Sequence, residues 1–427
     1  MVRALYNFII IIAFIPYILI IILRKYKGKE HPTKYKEKIF YNNFERPDGF
    51  LLWFHVASLG EFNSILPIID FYLKKSDKYK FLITTVTLSS YTQFEKKFAH
   101  NKRVFHQFLP YDVGFLVKNF LDKWSPDIVS FVDSEIWPNF ISQIKNREIP
   151  FILLNARITK KTFKRWMYFK RFAYEIFNSF TLCIASSNES EKYLNQLNVK
   201  NIKNFGNVKF CTRSEKDKID DKNQFNSIKN KKVWVALSTH EDEELFCCNV
   251  QEKLEKADKD FVSIIIPRHI GRIKKIYTKL SNFNKKIQIK NENDNISEDA
   301  KIVLVNYYGL TSKYLNKFKQ VFIGKSMIPS LSQVGGQNPI DAIKMGCKVY
   351  HGPFVYNFKE IYDYLDINNF SEQISGNRSE CVELLAKKII SDLEISSKSK
   401  MSKIEKFNIF SDRIFNNVIQ EYDKVIK

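Results

Sequence analysis

The 427-residue sequence lacks the patterns typical of a zinc finger, a disulfide-bonded fold or a common nucleotide-binding loop. Its six cysteines are scattered, with no CxxC pair and no histidine at zinc-finger spacing, so we expect reduced cytosolic thiols and no metal site. The GxGxxG and GxxxxGK(S/T) motifs are absent, which argues against a dinucleotide-binding or P-loop protein. No low-complexity tract or short-period repeat occurs either.

Acidic residues are scarce relative to basic ones. The sequence has 68 Lys and Arg against 46 Asp and Glu, a net charge of +22. Nucleic acid, anionic lipid or a phosphorylated substrate would match this charge, unless it reflects a Lys-rich, Asn-rich composition without any partner. The basic residues are dispersed rather than grouped with stacking aromatics, so we expect no nucleic-acid partner. A chain of this length is too long for one ordinary core, and two domains are expected.

Residues 6–23, YNFIIIIAFIPYILIIIL, form an uncharged run that as a helix would span roughly 27 Å, just enough to cross a bilayer core. No small-residue cleavage site follows, so residues 1–28 are predicted to be a membrane anchor rather than a signal peptide. The basic residues Arg24, Lys25 and Lys27 predict that the body of the protein lies on the cytoplasmic side of the membrane, where anionic inner-leaflet lipids are natural partners. Because Pro16 lies in the middle of this run, a bent, half-inserted helix is the alternative to a spanning one.

From residue 48 onward, short apolar runs alternate with amphipathic segments, which predicts an α/β protein with mainly parallel, doubly wound sheets. The polar segment 214–232 reads as a linker between two similar domains, 29–213 and 233–396. A final helical segment, 397–427, is expected to pack back on the first domain. The predicted strands are 51–56, 80–85, 128–132, 151–155 and 182–185 in the first domain, and 233–237, 261–266, 302–305, 320–323 and 347–351 in the second.

Glu61 ends a small-residue turn that follows the first predicted strand and precedes a helix. The carboxyl ends of parallel strands form the crevice in which ligands bind, and Gly60 allows a substrate to approach the backbone closely. The alternative is a glutamate that only complements the helix dipole. A second carboxylate, Glu135, follows another strand in the segment 133–139, DSEIWPN. There Pro138 makes the turn rigid and Asn139 is expected to cap the next helix, a context that also suits a purely structural residue.

Three strand ends in the second domain suit an anionic ligand. Ser238 and Thr239 are expected at a helix start, where hydroxyls and free N–H groups form a phosphate or carboxylate cradle. Arg268, after the next strand, could bind such a group through two hydrogen bonds. The segment 334–342, VGGQNPIDA, combines a Gly-Gly turn with backbone N–H groups facing a ligand and Asp341 in the first helical turn, where it could accept hydrogen bonds from a ribose.

These segments, in this order and over nearly the whole chain, resemble the bacterial 3-deoxy-D-manno-octulosonic acid (Kdo) transferases of lipopolysaccharide synthesis. The matching segments are 57–61 (ASLGE), 84–87 (TTVT), 109–112 (LPYD), 133–139 (DSEIWPN), 155–157 (NAR), 206–210 (GNVKF), 238–240 (STH), 267–269 (PRH), 335–339 (GGQNP) and 352–353 (GP). Where this family has GGHN the sequence has Gln337, and where the family has Glu after NPL the sequence has Asp341. Asp133 stands where Glu is usual. The resemblance implies that the first two departures would affect donor binding.

The resemblance implies a GT-B glycosyltransferase with two facing Rossmann-like domains, an acceptor-binding first domain and a nucleotide-sugar-binding second domain. It implies inverting transfer of Kdo from CMP-Kdo to the lipid A precursor (lipid IVA), without a metal ion or cofactor. Glu61 would be the general base, and Glu135 would support the same site. Acceptor-side residues would be Ser58, Gly60, Asn139 and Arg157. Donor-binding residues would be Ser238, Thr239, Pro267, Arg268, His269, Gly335, Gly336, Gln337, Asn338 and Asp341.

Two alternatives remain at this point. One is a different GT-B enzyme, either a transferase using another nucleotide sugar or a sugar-nucleotide epimerase, although the WPN turn and the apolar segment argue against the epimerase. The other is a membrane-tethered protein that binds lipid or nucleic acid through its charge. The number of Kdo residues transferred does not follow from the sequence.

Overall fold

The computed structural model describes residues 2–39, 45–212, 224–283, 286–309, 311–393 and 397–426. Its contacts divide the chain into two compact units: unit 1 comprises Met1–Arg213 and Ser411–Lys427, and unit 2 comprises Ser214–Phe410. Of the predicted linker, residues 214–223 lie outside the described residues. The rest belongs to unit 2, where Phe225 packs against the ring of Tyr314 at 5.4 Å.

Unit 1 contains, within its described residues, a seven-stranded parallel sheet of order β3-β2-β1-β4-β5-β6-β7. Its central strands are buried along nearly their whole length, as expected where helices cover both faces of a parallel sheet. The strands are β1 Phe50–Val56, β2 Tyr79–Thr85, β3 Val104–Phe108, β4 Ile128–Val132, β5 Phe151–Ala156, β6 Leu182–Ala185 and β7 Ile202–Asn204. The helices are α1 Val2–Tyr26, α2 Leu59–Lys75, α3 Leu88–Phe98, α4 Gly114–Trp124, α5 Pro138–Asn146, α6 Lys160–Met167, α7 Lys170–Phe177 and α8 Asn188–Gln196.

Unit 2 has the same design, with a seven-stranded parallel sheet of order β10-β11-β9-β8-β12-β13-β14 among its described residues. The strands are β8 Lys232–Thr239, β9 Phe261–Pro267, β10 Ile287–Lys290, β11 Ile302–Val305, β12 Gln320–Ile323, β13 Lys348–His351 and β14 Ser371–Gln373. The helices are α9 Glu243–Ala257, α10 Ile273–Leu280, α11 Thr311–Lys317, α12 Ile340–Lys344, α13 Lys359–Ile367, α14 Arg378–Leu393 and the part of α15 (Ser397–Ile426) that ends at Phe410. The predicted α/β class with doubly wound parallel sheets is confirmed.

All ten predicted strands are present, with ends displaced by at most two residues. The four strands that the sequence reading missed, β3, β7, β10 and β14, are the outermost strands of the two sheets. An outer strand has a neighbour on one side only, so it needs fewer apolar residues than a central strand. The short sequences IKN in β7 and SEQ in β14 illustrate this, because neither contains the apolar run that identifies a buried strand.

Helix α1 is long and apolar enough to cross a membrane, judged by length and composition. One side of it nevertheless packs on unit 1. The ring of Tyr17 stacks on that of Tyr111 at 4.2 Å, the hydroxyl of Tyr6 donates to Asp112 Oδ2 at 2.7 Å, and Ile21 is buried. The other side carries exposed large apolar residues: Phe8, Ile9, Ile11, Ile12, Ile15, Leu19, Ile20 and Leu23.

The last part of helix α15 belongs to unit 1. Tyr422 is fully buried there, with its hydroxyl 2.7 Å from Ser130 Oγ in β4 and its ring stacked on Phe54 of β1 at 6.1 Å. Asp423 accepts a hydrogen bond from the hydroxyl of Tyr72 in α2 at 2.8 Å. The C-terminus therefore packs directly on β1 and β4, the two central strands that lead to Glu61 and Glu135.

Candidate active site

Strand order reverses between β1 and β4 in unit 1, so the connections that leave these two strands diverge and open a crevice at their carboxyl ends. The turn after β1 leads to Glu61 in the first turn of α2, and the turn after β4 carries Asp133 and Glu135. The structure therefore brings both predicted catalytic carboxylates to one edge of the sheet. It adds Asp133, which the sequence reading treated only as a departure from the family pattern.

Glu61 is held by the first turn of the helix in which it lies. Ser58 is the N-cap residue, and its Oγ accepts a hydrogen bond from the Glu61 amide at 3.3 Å. The Glu61 carboxylate in turn accepts hydrogen bonds from the Ala57 amide at 2.7 Å and from Ser58 Oγ at 2.8 Å. The carboxylate thus contributes to the helix cap, as the structural alternative requires.

Capping alone does not describe the environment of Glu61, whose side chain is buried with 8% of its surface exposed. Burial raises the pKa of this carboxyl, the negative charge of Asp133 raises it further, and Glu135 adds to the effect against the hydrogen bonds from Ala57 and Ser58. A carboxylate whose pKa lies above its ordinary value binds a proton more readily. The arrangement therefore suits Glu61 to removing a proton from a bound hydroxyl.

The pKa of Glu135 is shifted in the opposite direction. Its Oε2 accepts hydrogen bonds from Trp137 Nε1 at 2.9 Å and from His55 Nε2 at 3.2 Å. Burial by itself raises the pKa of Glu135, but the hydrogen bond and charge of His55 and the hydrogen bond from Trp137 bring this pKa below its ordinary value. Two neighbouring carboxyl groups whose pKa values are shifted apart can take different roles in one reaction.

His55 is a site residue that the sequence reading missed. It lies in β1, is fully buried, and its Nδ1 is 3.0 Å from Thr84 Oγ1 in the neighbouring strand. The contact with Thr84 orients the imidazole so that Nε2 is directed at Glu135. A histidine inside an apolar strand next to the Glu61 turn was the signal that could have identified it.

Lys209 is the second residue missed, although its segment GNVKF was recognised as a family motif. Its ammonium forms an ion pair with Asp133 Oδ2, and Asn155 Nδ2 donates to Asp133 Oδ1. Asp133 and Asn155 both have left-handed backbones, with φ of 58° and 55°, and Asn155 Oδ1 accepts a hydrogen bond from the Val208 amide at 2.8 Å. These contacts fix the position of Asp133, and with it the charge that acts on Glu61.

The expected cap at Asn139 is wrong. Trp137 is the N-cap residue of α5, and Asp112, from the loop before α4, accepts hydrogen bonds from the amides of Asn139 and Phe140 at 3.0 Å each. The carboxylate of Asp112, which is distant in the chain, therefore caps the helix. The Asn139 side chain is buried and donates to the Asp112 carbonyl at 2.6 Å instead. Arg157 is half-buried, with its amide bonded to the Asp133 carbonyl at 3.1 Å.

Ser58 and Gly60 lie exposed beside Glu61. A Cβ atom added at Gly60 would meet no atom outside its immediate chain neighbours within 4 Å, so packing does not demand a glycine here. The space above Gly60 is open to a ligand.

In unit 2 strand order reverses between β8 and β12, and the expected helix start at Ser238 and Thr239 is wrong. Both residues are still in β8. Ser238 has a left-handed φ of 57°, and the Thr239 hydroxyl is buried and donates to Glu244 Oε1 at 3.0 Å. Helix α9 begins only at Glu243, with Asp242 as its N-cap residue, so Thr239 does not offer a free cradle.

Glu243 organises the two loops that meet at this edge. Its buried carboxylate accepts hydrogen bonds from four amides: His240 at 2.9 Å, Lys325 at 2.6 Å, Ser326 at 2.8 Å and Met327 at 2.9 Å. A glutamate in the first turn of a helix is common, so the local sequence does not single out Glu243. Only the fold brings residues 325–327 to it, because they follow the adjacent strand β12.

The glycines of the Gly335-Gly336 turn allow close backbone packing as well as the approach of a ligand. A Cβ on Gly335 would lie 2.1 Å from the Phe354 carbonyl, and the Gly336 amide, at φ 90°, donates to the Lys325 carbonyl at 2.7 Å. The expectation that the N–H groups of this turn face a ligand is therefore wrong for Gly336. Asp341 lies exposed in the first turn of α12, as predicted.

Other predicted donor-side residues lie at the same edge. Pro267 ends β9, and Arg268 is exposed after it. Ser238, Pro267 and Arg268 line a surface pocket together with Tyr307 and Tyr308.

Three further members of this predicted set make contacts of their own. His269 is exposed, and its ring lies edge-on to that of His240, 5.8 Å away. Asn338 Oδ1 accepts a hydrogen bond from the Ile340 amide at 3.1 Å, and the Gln337 carbonyl accepts one from the Tyr362 hydroxyl at 3.0 Å.

Residues 33–212 match a protein family described as 3-deoxy-D-manno-octulosonic-acid transferase (kdotransferase). Among curated proteins, the chain is 30% identical over 352 residues to the 3-deoxy-D-manno-octulosonic acid transferase of Rickettsia bellii (strain RML369-C), covering 82% of each chain. It is 24% identical over 331 residues to the protein of that name from Haemophilus influenzae, covering 76% of each.

Solved structures with a similar fold include a glycosyltransferase from Rickettsia africae ESF-5, with a TM-score of 0.57 and 13% identity, covering 89% of this chain and all of that one. UDP-GlcNAc 2-epimerase from Neisseria meningitidis is also similar, with a TM-score of 0.55 and 12% identity, covering 87% of this chain and all of that one. At this identity the likeness concerns the fold alone, two parallel α/β units of the GT-B type.

Replacing Glu243 by alanine is expected to loosen the segment 325–327, because three of its amides lose a charged acceptor. Hydrogen exchange in a peptide covering 324–328 should become at least about tenfold faster, since a hydrogen bond to a charged group contributes roughly 1.5–3 kcal/mol. The matched control is Glu241→Ala, because Glu241 is exposed and forms a surface ion pair with Lys275. Unchanged exchange in the Glu243 variant would contradict the assignment.

Proposed function

The chain belongs to the 3-deoxy-D-manno-octulosonic acid (Kdo) transferases, and we propose that it transfers Kdo from CMP-Kdo to the lipid A precursor lipid IVA in lipopolysaccharide synthesis. The observation that carries the proposal at the level of chemistry is the pair Glu61 and Glu135 at the β1/β4 edge, with pKa values shifted in opposite directions. Mass spectrometry of the product from lipid IVA and CMP-Kdo tests the reaction and counts the Kdo residues added.

In this proposal Glu61 is the general base. It takes the proton of the acceptor hydroxyl as that oxygen forms a bond to the anomeric carbon of Kdo, with inversion at that carbon. Glu135 stays ionised through its contacts with His55 and Trp137 and orients the sugars in the site. Ser58 and Gly60, exposed beside Glu61, contact the acceptor, and Arg157 lies on the same side.

Unit 2 binds the donor in this proposal. Arg268 and the pocket that it shares with Ser238, Tyr307 and Tyr308 receive the cytidine monophosphate group. The residues 335–341 lie beside this edge, with Asp341 placed to accept hydrogen bonds from the ribose. Cationic side chains and helix N-termini neutralise the phosphate as it leaves, so the proposal includes no metal ion.

The competing proposal is a GT-B enzyme that uses a different nucleotide sugar. The same fold occurs in a UDP-GlcNAc 2-epimerase, so the fold by itself does not distinguish between the two donors. Competition between CMP and UDP for binding decides between the two, and a preference for UDP would reject CMP-Kdo as the donor.

We further propose that the protein associates with the cytoplasmic face of the inner membrane and that α1 lies in one leaflet rather than crossing the bilayer. Contacts with unit 1 occur near both ends of the helix, from Arg3 with Glu175 to the buried Ile21. A helix that packs on a polar unit along about 27 Å cannot also cross the hydrocarbon core. Its exposed apolar side is left for lipid, next to the lipid acceptor.

Glu61→Gln is expected to lower kcat by about 10²–10⁴-fold, the usual contribution of a general base. The amide oxygen still accepts a hydrogen bond from Ala57, so the helix cap and the fold should persist. Asp70→Asn, on the same helix, is the control and should leave the rate of Kdo transfer unchanged. Wild-type turnover of the Glu61 variant would reject the catalytic assignment even if the family holds.

Asp133→Asn is expected to move the acidic limb of the kcat/KM–pH profile to lower pH. The negative charge of Asp133 raises the pKa of Glu61, so its removal lowers that pKa, and Lys209 without its partner acts in the same direction. Asp122→Asn, on the surface of the same unit, should leave the limb in place. A limb that moves to higher pH, or does not move, would show that Asp133 does not tune Glu61.

Cysteine labelling tests the placement of α1 against the background of six native cysteines, all buried. Leu5→Cys and Tyr26→Cys place thiols near the two ends of the helix, at exposed positions. In sealed vesicles of known orientation, a membrane-impermeant maleimide should reach both thiols from the cytoplasmic side only. Ile12→Cys should be protected until detergent is added. Labelling of the two ends from opposite sides would show that α1 spans the membrane.

A further inference from the structure

Lys325 has a strained backbone at the edge where strand order reverses in unit 2. It follows β12 and Gly324 and adopts a left-handed φ of 60°, a conformation that costs little for glycine and is uncommon for lysine. Strained residues of this kind persist where the surroundings hold them, and they cluster at ligand-binding sites.

The backbone of Lys325 is fixed on both sides. Its amide donates to Glu243 Oε2 at 2.6 Å, and its carbonyl accepts a hydrogen bond from the Gly336 amide at 2.7 Å. A Cβ on the preceding Gly324 would lie 2.7 Å from both the Ser238 carbonyl oxygen and Thr239 Cα, so the loop packs tightly on the end of β8. These contacts hold the loop in the conformation that Lys325 adopts.

Within the described residues, the ammonium of Lys325 has no hydrogen-bond or ion-pair partner, and the side chain is half-buried. Arg272 near the same edge differs, because its two terminal nitrogens bind the Glu244 carboxylate at 3.1 Å each. Burial lowers the pKa of His240, and the charge of Lys325 lowers it further with those of His269 and Arg272, which places Lys325 within a locally positive edge.

We infer that Lys325 binds the phosphate of the donor's nucleotide and neutralises its charge as the sugar leaves. The inference rests on the proposed function. As the bond from the anomeric carbon to the phosphate oxygen breaks, its electron pair stays on that oxygen, and a fixed ammonium stabilises the charge that develops. The clamp through Glu243 and Gly336 holds the lysine in position before the donor arrives.

The test is calorimetric titration of the detergent-solubilised full-length protein with CMP, cytidine and free Kdo. Lys325→Asn removes the charge with a residue that tolerates the left-handed conformation, and Lys325→Arg keeps the charge. The control, Lys253→Gln, removes a charge paired with Glu383 on the helical surface. We expect the affinity for CMP to fall about 10- to 100-fold in the Asn variant and to stay unchanged in the Arg and Lys253 variants, because only the Asn variant loses a hydrogen bond to a charged group. The affinity for cytidine, which has no phosphate, should not change.

The outcomes separate this inference from the donor assignment. If the Asn variant binds CMP like the wild type while the wild type prefers CMP to cytidine, the donor stands and the role of Lys325 is rejected. If only the affinity for free Kdo falls, Lys325 binds the sugar carboxylate and the inference is equally rejected.

UDP is titrated in the same way. If the wild type prefers UDP to CMP, the proposed function fails, and a loss of UDP affinity in the Asn variant still supports phosphate binding by Lys325. A wild type that binds neither nucleotide overturns the inference. The melting temperature of the Asn variant should not fall below that of the wild type, and Lys325→Gly replaces it if that variant does not fold.

Discussion

The reversal of strand order in each parallel sheet is the constraint on which the rest of the structure depends. Where successive helices pass to opposite faces of a sheet, the carboxyl ends of two adjacent strands are left uncovered, and polar groups can gather there without being buried by a helix. In unit 1 this edge holds Glu61 and Glu135, and in unit 2 it holds Ser238 and Lys325. Both sets of candidate site residues follow from one topological rule applied twice.

The buried carboxylates at these edges differ in what compensates their charge. Glu243 accepts four backbone N–H groups, so its charge serves to hold two loops together. Glu61 has two hydrogen-bond donors and a neighbouring negative charge, Asp133. Burial raises the pKa of both carboxyl groups, so the direction of the shift does not distinguish them. They differ in their partners, because Glu243 is committed to four backbone donors, whereas Glu61 lies beside Asp133, whose charge raises its pKa further.

Sequence reading succeeded where a signal is local and failed where the partner is distant in the chain. The interior strands were found because burial on both sides demands continuous apolar runs, and the outermost strands were missed because they do not have this demand. Asn139 is of a residue type that often caps helices, yet Asp112 from another loop caps α5. Ser238 and Thr239 are of residue types that are common at helix starts, yet β8 extends through both of them and α9 begins only at Glu243.

By itself the sequence determined the α/β class, the apolar N-terminal segment, the order of the motifs and the family that those motifs resemble, because each of these depends on residues close together in the chain. Only the tertiary structure decided that His55 faces Glu135, that Lys209 pairs with Asp133 and that Glu243 holds Lys325 in its strained position. These contacts join residues that are 76 to 82 positions apart in the chain. Strand order, which no local pattern encodes, brings them together.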